Sequence, residues 1–171
     1  IAGNPWALTF SDNIGTFTFD ATNSVVKIMV RKNVATNVGM KFEGTSPAKE
    51  IQKPSVVVNG DWEELTFDFT SEIGNTYNRI VIIPDFAART ENHVVYFDNI
   101  TFGSGGSAPV FTNTPITFEP KGSTWLWTVG NDGSNPEVEI VDNPNMSSPN
   151  TSAKVAKFTA KVAGDPWALV I

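Results

Sequence analysis

Apolar and polar residues alternate along much of the chain with a period of two. Leu65, Phe67 and Phe69 alternate with Thr66, Asp68 and Thr70, and Val26, Ile28 and Val30 alternate with Lys27, Met29 and Arg31. A period of two marks an extended strand with one face on a core and the other toward solvent. The pattern predicts strands over Gly15–Phe19, Val25–Val30, Val38–Phe42, Ser55–Val58, Glu64–Phe69, Arg79–Ile83 and Val94–Phe102. It continues through Ile116–Glu119, Glu137–Val141, Ala153–Ala160 and Trp167–Ile171. Turn-forming pairs separate the runs, among them Asp12-Asn13, Asn59-Gly60, Asp132-Gly133 and Asn143-Pro144. No segment sustains a 3.6-residue period. Many short strands at this spacing predict an all-β fold, an antiparallel β-sandwich or jelly roll.

The two ends of the chain repeat each other. Ile1-Ala2-Gly3-Asn4-Pro5-Trp6-Ala7-Leu8-Thr9-Phe10 matches Val162-Ala163-Gly164-Asp165-Pro166-Trp167-Ala168-Leu169-Val170-Ile171, with six of ten positions identical at an offset of 161 residues. A recurrent turn and strand would not require tryptophan in the same place. The chain therefore covers one period of a repeat plus an overlap, as a circular permutant or as a piece spanning two tandem repeats. The divergence between the copies favours a natural array. Gly103–Pro109 reads as a linker, rich in Gly and Ser and stiffened by a proline.

Composition narrows the chemistry. With 171 residues, 40% of them hydrophobic, the chain is long enough to bury one sizeable core. Twelve Phe and five Trp agree with β-structure. The absence of cysteine excludes disulfides and thiolate-bound metals. A net charge of −6 without a basic stripe argues against nucleic acid, and more weakly against polyanionic polysaccharides. No apolar run is long enough for a membrane helix. The Gly-x-Ser-x-Gly, His-Glu-x-x-His and phosphate-loop motifs are absent, and no carboxylate pair is singled out by spacing, so the expectation is a non-catalytic domain. A cysteine-free, acidic, Thr- and Asn-rich β-protein suits a bacterial secreted or cell-surface location.

Read from residue 111 to 171 and then from residue 11 onward, the motifs fall into a recognisable order. Ile116-Thr117-Phe118-Glu119 and Trp125-Leu126-Trp127 come first, followed by Asn143-Pro144-Asn145, Asn150-Thr151-Ser152 and the Pro-Trp-Ala string. Gly60-Asp61-Trp62-Glu63-Glu64-Leu65 and Tyr96-Phe97-Asp98-Asn99-Ile100 close it. This order resembles the jelly-roll carbohydrate-binding modules of Bacteroidetes secreted proteins, and is similar to families four, nine, sixteen and twenty-two. The resemblance implies that 1–103 supply the C-terminal part of a module, 104–110 a Gly/Ser linker and 111–171 the N-terminal part, together one sandwich. It implies polysaccharide or oligosaccharide binding, or, as the alternative, a structural repeat of a large adhesin or fibre in which neighbouring repeats exchange strands. It further implies a structural calcium ion, with Glu119 and Asp98 as ligands, because calcium needs hard oxygen donors.

The candidate ligand-binding residues are Trp125, Trp127, Trp167, Trp6 and Arg89. Trp125 and Trp127 share one face of an extended segment, and an exposed indole offers a rigid surface for the C–H face of a sugar. The other reading of the pair is a plug at the edge of the sandwich. Trp6 and Trp167 each follow Gly-x-Pro, where a loop enters a strand, and edge packing is as good a reading there as stacking. Trp62, at the head of a core strand, reads as structural. Arg89, in the polar stretch Asp85–His93, offers a planar fork of donors for hydroxyl groups, and His93, the sole histidine, reads as an exposed loop residue.

Overall fold

A computed structural model describes residues 6–103, 116–119, 126–130 and 136–162. The strands are β1 (Leu8–Ser11), β2 (Phe17–Thr18), β3 (Val25–Lys32), β4 (Thr36–Glu43), β5 (Lys49–Ser55) and β6 (Glu63–Asp68). They continue as β7 (Thr76–Tyr77), β8 (Arg79–Phe86), β9 (His93–Phe102), β10 (Thr128–Gly130), β11 (Glu139–Asp142) and β12 (Lys154–Ala160). A first five-stranded sheet has the order β10-β1-β8-β4-β5 and a second the order β11-β12-β9-β3-β6, with β2 and β7 as a separate pair. Every pairing among the described strands is antiparallel. The chain is an all-β antiparallel sandwich.

Both sheets are built from two distant parts of the sequence. β1 lies between β8 and β10, with Phe10 opposite Val81 on one side and Thr128 on the other. β12 pairs with β9, and Ile116 bridges Ile100. The described residues on either side of 104–115 thus share one core. Gly103 belongs to the folded part: its N–H reaches Val25 O at 2.7 Å, its φ is +90°, and a Cβ there would stand 2.2 Å from Thr22 O, so only glycine fits.

Alternation places Val26, Ile28 and Val30 of β3, Val38, Met40 and Phe42 of β4, and Leu65 and Phe67 of β6 inside. At one end the rings of Phe17, Phe19, Phe42, Phe69, Tyr77 and Phe102 meet, mostly edge to face. Such contacts add about 0.5–1.5 kcal/mol each beyond the burial of ring area. Elsewhere Phe118 and Trp127, from the later part, pack on Phe97 of β9 at 5.6 and 5.4 Å.

Two strand expectations are corrected. A strand is expected over Ser55–Val58, but the strand is β5, which ends at Ser55. It is an edge strand carrying Lys49, Lys53 and Pro54, and its charges and proline hide the apolar alternation while protecting the edge from further pairing. Ile116–Glu119 makes one isolated bridge rather than a strand. The expected strand Trp167–Ile171 lies outside the described residues.

Candidate functional site

The outer face of the first sheet carries an apolar strip. Phe10 of β1 with Val81 and Ile83 of β8 form a buried cluster separate from the main core, with Leu8 and Phe86 packed against it. Ile83 lies across Gly39 of β4, where a Cβ would meet its Cδ1 at 3.0 Å. One end of the strip is closed by Arg79, whose guanidinium stands 4.4 Å from the Phe10 ring and donates to both oxygens of Asp12 at 2.6 and 3.2 Å. At the other end Trp6 meets Phe86 edge to face at 4.7 Å and leaves 42% of its surface exposed. Polar side chains of β4 and β5 flank the strip: Asn37 donates to Gln52 at 3.4 Å, Gln52 donates to Glu50 at 2.8 Å, and Lys41 pairs with Glu43. Phe10, Val81 and Ile83 are themselves buried, so the apolar surface open on this face is the Trp6 indole at the rim with half-buried Leu8 and Phe86, beside amide and charged groups, a ring-and-polar-edge pairing suited to the C–H face and hydroxyls of a sugar.

The other candidate tryptophans fare differently. Trp127 is 8% exposed and turned into the core, so it does not present its ring to a ligand. The side chain that faces out there is its neighbour Leu126. Trp125 and Trp167 lie outside the described residues. Trp62 is buried, and its indole N–H donates to Asn143 Oδ1 at 3.2 Å and Asn145 O at 2.9 Å.

Arg89 is also corrected. It is 2% exposed; Nε donates to Asp85 Oδ2 at 3.1 Å, Nη2 to Asp85 O at 2.9 Å and Nη1 to Lys161 O at 3.4 Å. Its fork is spent on the protein's own groups and does not read hydroxyls. His93 is not a free loop residue but opens β9 and places Nδ1 2.8 Å from Asp85 Oδ2. Thr36 donates to Asp85 Oδ1 at 2.5 Å, and the buried ammonium of Lys32 donates to Thr36 O and Oγ1 at 2.7 and 2.6 Å. Burial pushes the Asp85 carboxyl up, but hydrogen bonds from Thr36, His93 and Arg89 outweigh it, so it sits below the ordinary carboxylate range. Burial drops Lys32 to about 8 against the pull of Asp85 and Glu63. Lys32 escapes the sequence reading because the apolar run of its strand ends at Val30, although two residues further on the alternation still points inward.

The two expected metal ligands both border the Asn150–Lys154 segment, and the charge of Glu119 is felt at Asp98. Asp98 of β9 is 0% exposed; its Oδ2 accepts from Asn150 Nδ2 at 3.2 Å, and its Oδ1 has no hydrogen-bond partner. Asn99, in the left-handed region at φ 49°, donates to Asn150 Oδ1 at 3.2 Å and to Ser152 Oγ at 3.4 Å. Glu119 Oε1 accepts from the N–H groups of Ala153 and Lys154 at 2.5 and 3.0 Å. Burial raises the Asp98 carboxyl above its ordinary value, the charge of Glu119 adds to this, and hydrogen bonds from Ser152, Asn99 and Asn150 do not offset it. No group of three or more His, Cys, Asp or Glu suited to a metal occurs among the described residues. A cation here would rest on two carboxylates supplemented by amide, hydroxyl and main-chain oxygens, a donor set of the hard type that calcium takes.

No family model, curated protein or solved structure matches the chain.

Proposed function

We propose that this chain is a non-catalytic glycan-binding domain of a secreted or surface-exposed bacterial protein, and that the sugar stacks on Trp6 at the rim of the first sheet's outer face. The observation that carries the reading is Trp6: an indole 42% exposed, braced by Phe86, at the end of an apolar strip flanked by Asn37, Gln52 and Glu50. The likeness of its motif order to carbohydrate-binding modules supports the same reading. A net charge of −6 favours neutral or weakly charged glycans over polyanions. Calorimetric titration with a panel of neutral β-glycan oligosaccharides tests this. The expected result is binding to at least one class, weakened about tenfold or more when Trp6→Ala and Trp167→Ala are combined, which corresponds to at least about 1.4 kcal/mol. Absence of binding across the panel, or binding indifferent to the combined substitution, overturns it.

Calcium belongs to this proposal as a structural ion beside Asp98 and Glu119. The buried, unpartnered Asp98 Oδ1 supports it, since a cation would neutralise a carboxylate that burial disfavours. Its role is to tie the 116–119 segment and the Asn150–Ser152 segment to β9.

The second reading is a structural repeat of a large adhesin or fibre, favoured by the duplicated Pro-Trp-Ala-Leu string. A parent sequence with many near-identical repeats supports it; a neighbouring polysaccharide-degrading domain supports glycan binding.

A further inference from the structure

The place of β1 in the first sheet and the point where the chain leaves β12 bear on each other. β1 starts at the end of β8 that carries Phe86, since Thr9 stands opposite Ile82 and Trp6 rests on Phe86. β12 finishes at the same end: Ala160 is opposite His93, Arg89 donates to Lys161 O, and Val162 N–H donates to Asn92 Oδ1 at 3.0 Å. Phe86 and Asn92 flank the one short connection from β8 to β9. The chain that leaves at Val162 is therefore already beside the entrance to the β1 position.

Beyond Val162 the sequence carries a second copy of the strand. Ala168 corresponds to Ala7, which is buried in the main core, and Leu169 and Ile171 correspond to Leu8 and Phe10 of the outer apolar cluster. Val170 corresponds to Thr9, whose buried hydroxyl donates to Thr128 O at 3.0 Å. Valine gives up that bond but keeps the shape, and the strand ladder uses only main-chain groups. The five residues from Ala163 to Trp167 span at most roughly 17 Å extended, against about 10 Å between packed sheets.

We propose that the position between β8 and β10 is a slot with two occupants within one chain: residues 167–171 replace residues 6–10 in the same direction and register. The exchange releases one tryptophan from the outer face and delivers Trp167 in place of Trp6, so the face keeps an indole in either state. The released copy becomes a free strand, a device by which consecutive repeats pass one strand position along an array.

The chain has no cysteine, so a disulfide introduced into the 171-residue chain reports the occupant directly. With Val81→Cys and Ile171→Cys, mild oxidation should give an intrachain bond in part of the molecules. Adding Thr9→Pro, which removes a ladder donor from the N-terminal copy, should raise that fraction several-fold, and Val170→Pro should suppress it. Thermal unfolding gives a second readout: Thr9→Pro alone keeps a cooperative transition, whereas Thr9→Pro with Val170→Pro loses it. The proposal is overturned if no bond forms between positions 81 and 171 in either background. It is equally overturned if only interchain bonds form and persist on dilution, or if Thr9→Pro alone is as damaging as the pair. Neither readout involves a sugar, so failure here leaves the glycan-binding reading standing.

Discussion

Two aspartates, Asp85 and Asp98, are equally hidden from solvent, yet their surroundings treat them in opposite ways. Asp85 stands where β8 turns toward β9 and meets Thr36, Arg89 and His93, which between them engage both of its oxygens. Its carboxyl is held below the ordinary range despite burial. Asp98 stands in the middle of the second sheet's outer face, is met mainly by asparagines and a serine, leaves one oxygen without a partner, and is raised. Burial alone therefore does not say what a carboxylate does. A saturated one is a clamp between strands; an unsaturated one beside a second carboxylate is where a cation gains most.

The sharpest break of this comparison is to remove each carboxylate in turn. Asp85→Ala leaves Arg89 buried without its counter-charge and deprives Thr36 and His93 of their acceptor. Uncompensated buried charge of this kind costs about 3–5 kcal/mol. Asp98→Asn, in contrast, removes a charge that its site disfavours, and in calcium-free buffer its cost should stay below about 1 kcal/mol. Urea denaturation of the two variants beside the parent checks this. Equal losses would show that the two sites are alike.

The physics of alternation sets how legible these features are in the sequence. A period of two says which side chains share a face, and this locates β3, β4, β6, β8, β9 and β12 to within a few residues. It does not say which face is the core. Trp127 and Leu126 show this: both readings of the pair have the same alternation, and packing on Phe97 and Phe118 decides it. Arg89 illustrates a second limit, because its partner Asp85 lies four residues back at a strand end, where a polar run looks like an exposed loop. Glu119 and Asp98 are singled out by resemblance, and nothing in their spacing predicts the asparagine-rich cover contributed by Asn150 and Ser152.

Calcium should separate the two carboxylates further. Calcium that binds the folded state alone stabilises it by about 2.7 kcal/mol at a hundredfold excess over its Kd. Differential scanning calorimetry should show a higher Tm in calcium than in chelator for the parent chain. The increment should vanish in Asp98→Asn and persist in variants at the Asp85 cluster that remain folded. An increment that survives Asp98→Asn would place the ion elsewhere.

The smallest effect concerns the cation that the Asp85 cluster leaves half-compensated. Lys32 is 1% exposed and held at about 8, while in the unfolded chain it returns to 10.5. Asp85 and Glu63 are the charges that pull it back up, and burial wins against both. Between these two values the unfolded chain binds more protons than the folded one, so stability rises with pH across the window. The cost of burying the ammonium is present in full below about 8 and fades toward 10.5. Tyr77 works in the other direction, because burial and Glu72 raise it to about 12, and the unfolded chain loses that proton first above 10. The clean window is therefore about pH 8 to 10, where the gain from Lys32 should be on the order of 1–2 kcal/mol. Urea midpoints measured across that window should climb for the parent chain and stay level for Lys32→Met. Parallel slopes for the two would mean that Lys32 keeps its proton throughout, and that Asp85 compensates its charge more fully than the geometry at Thr36 indicates.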